Sequence, residues 1–159
     1  SGISGIVLMD LSAELPTLLP LAIAWARDQE AAGLRDGEKL SPPGMQLARS
    51  VGVVHPEQVR VVVTDVLPYP EHPALRQAAA ELGMLGPDTA GLTLGYAVFI
   101  LQVQTGTRLL SHELRHGHQY ENNGSIEGFL PLYLRQVIDC GYPDAPLERD
   151  AREHEVLQP

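Results

Sequence analysis

The stretch His112-Glu113-Leu114-Arg115-His116 carries the strongest structural signal in this sequence. Residues four apart lie on the same face of an α-helix, so His112 and His116 can present both imidazoles to one metal ion. Glu113 lies about 100° around the helix from His112, where its carboxylate can contact a water on the metal without binding the metal. Zinc lowers the pKa of its bound water towards about 7, and a neighbouring carboxylate can accept the proton. The stretch therefore predicts a zinc site on a helix.

Flanking residues independently predict that this stretch is helical. Thr107 is expected to cap a helix that runs from Arg108 to about Tyr120, and Asn122-Asn123-Gly124 is expected to end it. The side of this helix that faces the core is predicted to consist of Leu109, Leu110 and Leu114.

Periodicity and turn residues predict the other elements. Further helices are expected over residues 11–32, where Pro20 occupies a first turn and Gly33 and Gly37 end the helix, and over residues 42–51, 73–82, 129–138 and 147–156. Strands are expected over residues 59–66 and 91–101, whereas residues 6–9 fit either a strand or a helix. Ser41 and the run Asp144-Ala145-Pro146 are expected to cap helices, and Pro131 is expected to lie in a first turn or to kink its helix.

Two histidines and a water leave a zinc ion in need of a third protein ligand. Glu148 is the preferred candidate, because it lies one turn into a capped helix and Ala151 on the same face is small enough to let two helices approach. His154 is the main rival. Asp150 is an alternative that could instead accept the free ring N–H of a ligand histidine. The simplest interpretation of Asp150, Glu153 and Glu155 is a solvated helix face.

These residues resemble the zincin metallopeptidases, and specifically the gluzincins, in which a glutamate from a later helix joins the two histidines. The runs at residues 91–96, 110–121 and 141–151 are similar to small bacterial zincin-like proteins of minigluzincin size. The resemblance implies an α+β fold in which a small twisted sheet packs on the active-site helix. It also implies that the strand containing Gly91 to Val98 is an edge strand that pairs with an extended peptide substrate.

The resemblance has a clear departure. Thermolysin-type gluzincins have a larger helical subdomain below the cleft, whereas only 43 residues follow His116 here. The expected fold is therefore a single zincin-like domain over residues 1–159, with residues 1–40 as an N-terminal helical extension within it.

The charge and the cysteine content of the chain indicate which partners and which cellular compartment to expect. The chain has 11 basic and 20 acidic residues and a formal net charge of −9, which argues against nucleic acids and anionic membranes as partners. Apolar runs are too short to span a bilayer, and the opening residues lack the basic start of a signal peptide. The single cysteine, Cys140, indicates a reduced and cytoplasmic setting; it is expected to be a packed small hydrophobe. Nothing in the composition predicts an oligomeric state.

Several other side chains near the motif have alternative interpretations. His118 is expected to hydrogen-bond to nearby chain, whereas Arg115 and Gln119 are expected to face away from the metal as surface or helix-packing groups. Zincins use a tyrosine or histidine to stabilise the oxyanion that forms when water attacks a carbonyl. The candidates for that role are Tyr96, Tyr120, Tyr133 and Tyr142.

The expected function is zinc-dependent hydrolysis of a peptide bond in a peptide or protein substrate. His112, His116 and Glu148 would bind Zn²⁺, and Glu113 would act as general base. The alternative is a non-catalytic or regulated zincin-like domain, in which zinc serves structure or interaction. An open position on the metal distinguishes the first from a site closed by a fourth protein ligand.

Overall fold

Six helices and a four-stranded mixed sheet form the fold of residues 8–157, the part of the chain that the computed structural model describes. The helices are α1 Leu11–Asp36, α2 Pro42–Ser50, α3 Pro73–Glu81, α4 Thr107–Asn122, α5 Ser125–Cys140 and α6 Pro146–Glu153. The strands are β1 Glu38–Lys39, β2 Arg60–Thr64, β3 Gly91–Leu94 and β4 Ala97–Leu101. The α+β class predicted from the sequence is confirmed.

The sheet has the order β1-β2-β4-β3, so that β3 forms one edge. β2 and β4 are parallel, and the other two pairs are antiparallel. Alternate side chains of β4 enter two different cores. Ala97 and Phe99 pack with residues of α1 and α5, whereas Val98 and Ile100 pack with residues of α2 and α4. Helix α4 is thereby fixed to one face of the sheet through Leu114, which is fully buried.

Helix α1 is longer than the sequence predicted. Gly33 and Gly37 were expected to end it: Gly37 is its C-cap, as predicted, but the helix continues through Gly33 to Asp36. Gly33 instead lies where the helix crosses the sheet, and a Cβ there would be 2.7 Å from the Cβ of Ala97. Pro20 lies inside the helix rather than in its first turn.

Residues 91–101 form a hairpin, not the single strand that was predicted. The chain turns between Leu94 and Ala97, which face each other across the pair β3 and β4. Gly95 has a φ of +64°, a conformation that favours glycine. The turn is also held from outside, because the Tyr96 N–H donates to Glu30 Oε2 of α1 at 3.0 Å.

Two predicted helix caps near the site are wrong. Thr107 is the first residue of α4 and Gly106 occupies the cap position, while α4 extends to Asn122. Asp144 does not cap α6: the cap residue is Ala145, without a side-chain hydrogen bond, and α6 ends at Glu153. Pro131 lies in the second turn of α5.

The remaining helices and β2 agree with the predicted ranges within a few residues, whereas β1 was not predicted. The Ser41 cap of α2 is confirmed, since its Oγ accepts from the Gly44 N–H at 3.2 Å. Of the run 6–9, residues 6 and 7 lie outside the described residues, as do residues 1–5, and residues 8 and 9 belong to no helix or strand. Between residues 8 and 157, no helix has the length and apolar character to cross a membrane.

Candidate metal centre

Helices α4 and α6 bring three potential metal ligands together. One ligand atom from each of His112, His116 and Glu148 lies within 4.8 Å of the other two. The two imidazoles face the carboxylate separately. His112 Nε2 lies 3.2 Å from Glu148 Oε1, and His116 Nε2 lies 3.1 Å from Glu148 Oε2.

The local structure explains this convergence. Four residues separate the histidines on α4, so both project from the same face, while Leu114 points into the core beneath the sheet. Glu148 lies in the first turn of α6 and is only 3% exposed. Ala145 and Ala151 of this region are fully buried. Because these alanines have minimal side chains, α6 can lie close against α4.

Each histidine is held from behind by a second hydrogen bond. His112 Nδ1 donates to Glu155 Oε2 at 2.8 Å, and His116 Nδ1 donates to Gln119 Oε1 at 2.8 Å. A neutral imidazole that donates through Nδ1 keeps the lone pair of Nε2 free for a metal. Outer partners of this kind fix the tautomer and the ring orientation of ligand histidines. Both rings are therefore oriented with Nε2 towards Glu148.

Gln119 connects the His116 ring to a polar network on α6. Its Nε2 donates to Asp150 Oδ2 at 2.8 Å and to the Leu147 carbonyl at 2.9 Å. Arg115 pairs with both oxygens of Asp150 at 2.7 and 3.1 Å. Asp150 is thus connected to the His116 ring by two hydrogen bonds that share the Gln119 side chain.

This network changes several sequence interpretations. The prediction that Gln119 faces away from the metal side is wrong, and its position three residues after His116 was the available signal. The helix-packing role predicted for Arg115 is confirmed. The solvated-face interpretation is wrong for Asp150 and Glu155, which are bound to Arg115 and His112.

Glu113 is anchored to the edge strand of the sheet. It is 5% exposed, and the Thr93 hydroxyl of β3 lies 2.7 Å from its Oε1 and 3.0 Å from its backbone oxygen. A Cβ on Gly91 would be 2.9 Å from Glu113 Oε2, so only glycine leaves room for the carboxylate there. Tyr120 completes the link, because its hydroxyl donates to the Thr93 carbonyl at 2.9 Å. The carboxylate of Glu113 is therefore held in a fixed position beside the histidines.

The cluster has the electrostatics of a tightly coupled group. Burial opposes charge on His116, but the hydrogen bond and charge of Glu148 outweigh it and raise the pKa of His116 to about 9. The pKa of His112 is also raised: burial lowers it, and the Glu148 hydrogen bond and Glu113 charge more than compensate. Burial would raise the pKa of Glu148, yet its bonds to the two histidines hold that pKa well below the usual range. Glu148 is therefore an anion that attracts cations.

Two tyrosines border the Glu148 carboxylate. The Tyr133 hydroxyl donates to Glu148 Oε2 at 2.6 Å, and burial together with the Glu148 charge raises the pKa of Tyr133 well above 10. The pKa of Tyr142 is raised for the same two reasons. Both hydroxyls thus remain protonated donors at neutral pH. The Tyr96 hydroxyl instead donates to Glu121 Oε2 at 2.8 Å, and the Tyr120 hydroxyl donates to the Thr93 carbonyl of β3.

Other sequence candidates lie outside the ligand cluster. His154, the rival third ligand, bonds the Asp150 carbonyl through Nδ1 at 2.7 Å. His118 bonds the Gly52 carbonyl at 2.9 Å, which confirms the predicted hydrogen bond to nearby chain. Cys140 is exposed, so its predicted packing role is wrong.

The cluster lies between an open groove and an apolar cavity. The groove has a volume of about 1080 Å³ and is bordered by His112, Glu113 and Glu155. The cavity has a volume of about 140 Å³ and is bordered by Glu113, His116 and Glu148. Because Glu113 borders both spaces, it lies at their junction.

Comparison with known proteins finds no relative of this chain. No family model, curated protein or solved structure matches the chain.

Proposed function

We propose that the protein is a zinc-dependent hydrolase that cleaves peptide bonds. The observation that carries the proposal is the convergence of His112, His116 and Glu148 within 4.8 Å, with an outer hydrogen-bond partner on each histidine. Two imidazoles and a carboxylate are a ligand set that zinc uses in catalytic sites. The buried Glu148 charge supplies the anion that such a set requires.

The cluster fits a catalytic zinc better than a structural one. Structural zinc sites are closed by four protein ligands, mostly cysteines and histidines. Among residues 8–157 the group has three members, and the only cysteine of the chain, Cys140, is exposed at the end of α5. The groove beside His112 and Glu113 offers a path by which a substrate can reach the site. These features favour the hydrolase over a zinc-binding domain without activity.

The division of labour among the side chains follows from their positions. His112, His116 and Glu148 would hold the ion, which when bound would lower the pKa of a water towards about 7. Glu113 accepts the proton of the attacking water and passes it to the leaving amine nitrogen. Thr93 keeps the Glu113 carboxylate in place for both transfers. Tyr142 is the tyrosine best placed to donate to the carbonyl oxygen, because it borders the groove and the cavity alike.

The edge strand of the sheet supports a peptide substrate. The strand β3 forms the sheet edge next to Glu113, and Gly91 at its start borders the groove. An edge strand can hold an extended peptide by main-chain hydrogen bonds. Strand β3 has no charged side chain, because its residues are Gly91-Leu-Thr-Leu94. It therefore places no side-chain charge beside a bound main chain.

Replacement of Glu113 by Gln tests the proposed function. The amide cannot accept the proton, so hydrolysis of a peptide library by the zinc-loaded protein should fall by about 100-fold or more. Zinc content should be unchanged, because Glu113 is not a ligand. Mass spectrometry of the products and elemental analysis measure the two quantities.

The matched control is Glu153→Gln, which makes the same chemical change at an exposed position of α6. It should retain both hydrolysis and zinc. If Glu113→Gln hydrolyses peptides at the wild-type rate, or if it loses zinc, the role given to Glu113 is contradicted.

A further inference from the structure

The apolar cavity beside the cluster is small, and its wall is mainly apolar. Its volume is about 140 Å³, and its polar end is formed by Glu113, His116 and Glu148. The rest of its wall is mainly apolar and comes from several elements, among them Leu18 and Trp25 of α1, Leu75 of α3 and Leu134 of α5. An apolar space with a polar end beside the cluster suits an apolar side chain of a substrate residue next to the reacting bond.

The size of the cavity limits what can enter. A protein cavity of roughly 150 Å³ with an apolar lining accepts a molecule of about the size of benzene. The cavity can therefore take one branched aliphatic or aromatic side chain, but it cannot take a continuing polypeptide.

Helix α1 forms part of the cavity wall and is held in place by contacts with other elements. Arg27 pairs with Glu127 of α5, and the Arg135 guanidinium donates to Ser12 Oγ at 3.0 Å. At the opposite end of the helix, Glu30 accepts from the Tyr96 N–H at 3.0 Å.

The other side of the site has the opposite character. The groove of about 1080 Å³ is open, and its border includes Arg108, Asp88 and Glu155 as well as apolar side chains. It has room for several residues of an extended peptide. Glu113 lies where this groove meets the cavity, so the reacting bond would lie between a large space of mixed lining and a small apolar one.

We infer that the cavity binds an apolar residue at the end of a peptide, so that the enzyme releases single apolar residues from a chain end. The inference rests on the proposed hydrolytic function. Each cleavage consumes one water: its oxygen bonds to the carbonyl carbon, the C–N bond breaks, and the amine nitrogen takes a proton. The products are one free apolar amino acid and the shortened peptide.

The cavity itself is tested first, with toluene and the metal-free full chain. Trp25 is the only tryptophan of the chain and lines the cavity, so its fluorescence reports occupancy. Toluene should change the fluorescence saturably. Ala22→Leu places a larger side chain in the cavity wall and should weaken toluene binding at least about tenfold. Ala24→Leu, on the exposed side of the same helix, should leave binding unchanged.

A second pair of variants provides an independent test in case Ala22→Leu does not fold. Ala78→Leu fills the cavity from α3, and Ala80→Leu is the exposed control on that helix. A wild-type protein without a saturable response, or equal toluene binding by the filled variants and their controls, would overturn the apolar site.

The release of single residues is tested with the zinc-loaded full chain and three sets of hexapeptides. One set carries Leu at the first or last position, the second carries Asp there, and the third has two Gly residues beyond the Leu. Terminal Leu should be released at least about tenfold faster than terminal Asp or the covered Leu, because burial of a charge is costly and the cavity is too short for a longer chain.

The outcomes separate the two proposals. Internal cleavage at similar rates in all three sets would overturn the release of single residues and leave the proposed function standing. Absence of cleavage in every set would overturn both, and the toluene result would then still decide whether the cavity binds apolar groups.

Discussion

At the scale of single residues, the site depends on the groups that hold the two imidazoles from behind. The sequence could predict His112 and His116 from their spacing, because i and i+4 share a helix face whatever the tertiary structure. It could also have indicated Gln119, which lies one turn after His116. Glu155 is different: it lies beyond α6, and only the fold shows that it reaches His112.

Loss of the Gln119 side chain should weaken zinc binding without removing a ligand. In Gln119→Ala the His116 Nδ1 loses its acceptor and Asp150 loses a donor. Loss of such an outer partner typically lowers metal affinity by about 10- to 100-fold. Competition with a chromophoric chelator measures the affinity.

Asn122→Ala is the control for this change, since Asn122 is exposed on the same helix. Its zinc affinity should equal that of the wild type. Equal affinity of Gln119→Ala and the wild type would show that Gln119 does not orient the His116 ring.

At the scale of elements, contacts between distant segments decided what the sequence left ambiguous. Residues 91–101 lack the Asn-Gly or Asp-Gly pair that marks a tight hairpin, and the turn at Gly95 is supported by Glu30 from α1. Gly33 appears as a helix end in the sequence, but it serves close packing of α1 on β4. By contrast, α2 and α3 follow local capping and proline signals and were predicted closely.

The contact at Gly33 leads to a test of packing. A methyl group in Gly33→Ala would lie 2.7 Å from the Ala97 Cβ and 2.9 Å from Phe99 Cζ. The gain in helix propensity, about 1 kcal/mol, should be outweighed by overpacking of about 1–3 kcal/mol. The net effect is a loss of up to about 2 kcal/mol in the free energy of unfolding, measured in urea.

Gly117→Ala is the matched control within α4. A Cβ at Gly117 meets only the Val53 Cγ2, at 4.0 Å, so the same substitution has room there. It should stabilise the protein by about 0.5–1 kcal/mol. If Gly33→Ala is as stable as Gly117→Ala, helix α1 does not pack on β4 as described.

At the scale of the whole molecule, α4 and α6 hold the polar cluster while α1, α3 and α5 enclose the cavity beside it. The sequence predicted these helices, but not that the N-terminal one would cross the sheet and close one side of the site. That arrangement depends on contacts such as Arg27 with Glu127, which are 100 residues apart. Periodicity within one segment carries no information about such pairs.

The coupled cluster makes the stability of the metal-free protein dependent on pH. The pKa of His116 is raised to about 9 in the folded state, so the stabilisation from its protonated form is complete below about 6.5, its ordinary value, and is lost as pH rises through 9. The pKa of Glu148 is lowered, so its contribution is present above its ordinary value and is lost in acid. The free energy of unfolding with a chelator present should therefore decrease from pH 6.5 to pH 9.

Urea unfolding at several pH values measures this dependence. His116→Gln removes the titrating group and should flatten the decline, whereas His118→Gln, which changes a histidine outside the cluster, should retain it. A wild-type stability that rises steadily from pH 6.5 to pH 9 would contradict the coupling of His116 with Glu148.

The zinc content of the full chain tests the central claim most directly. Protein purified without added zinc and then equilibrated with the ion at neutral pH should contain about one zinc per chain. His154→Gln should match it, because His154 lies outside the cluster, and Glu148→Gln should bind zinc far more weakly. A wild-type protein that takes up no zinc, or a Glu148→Gln variant that binds it as tightly as the wild type, would contradict the site described here.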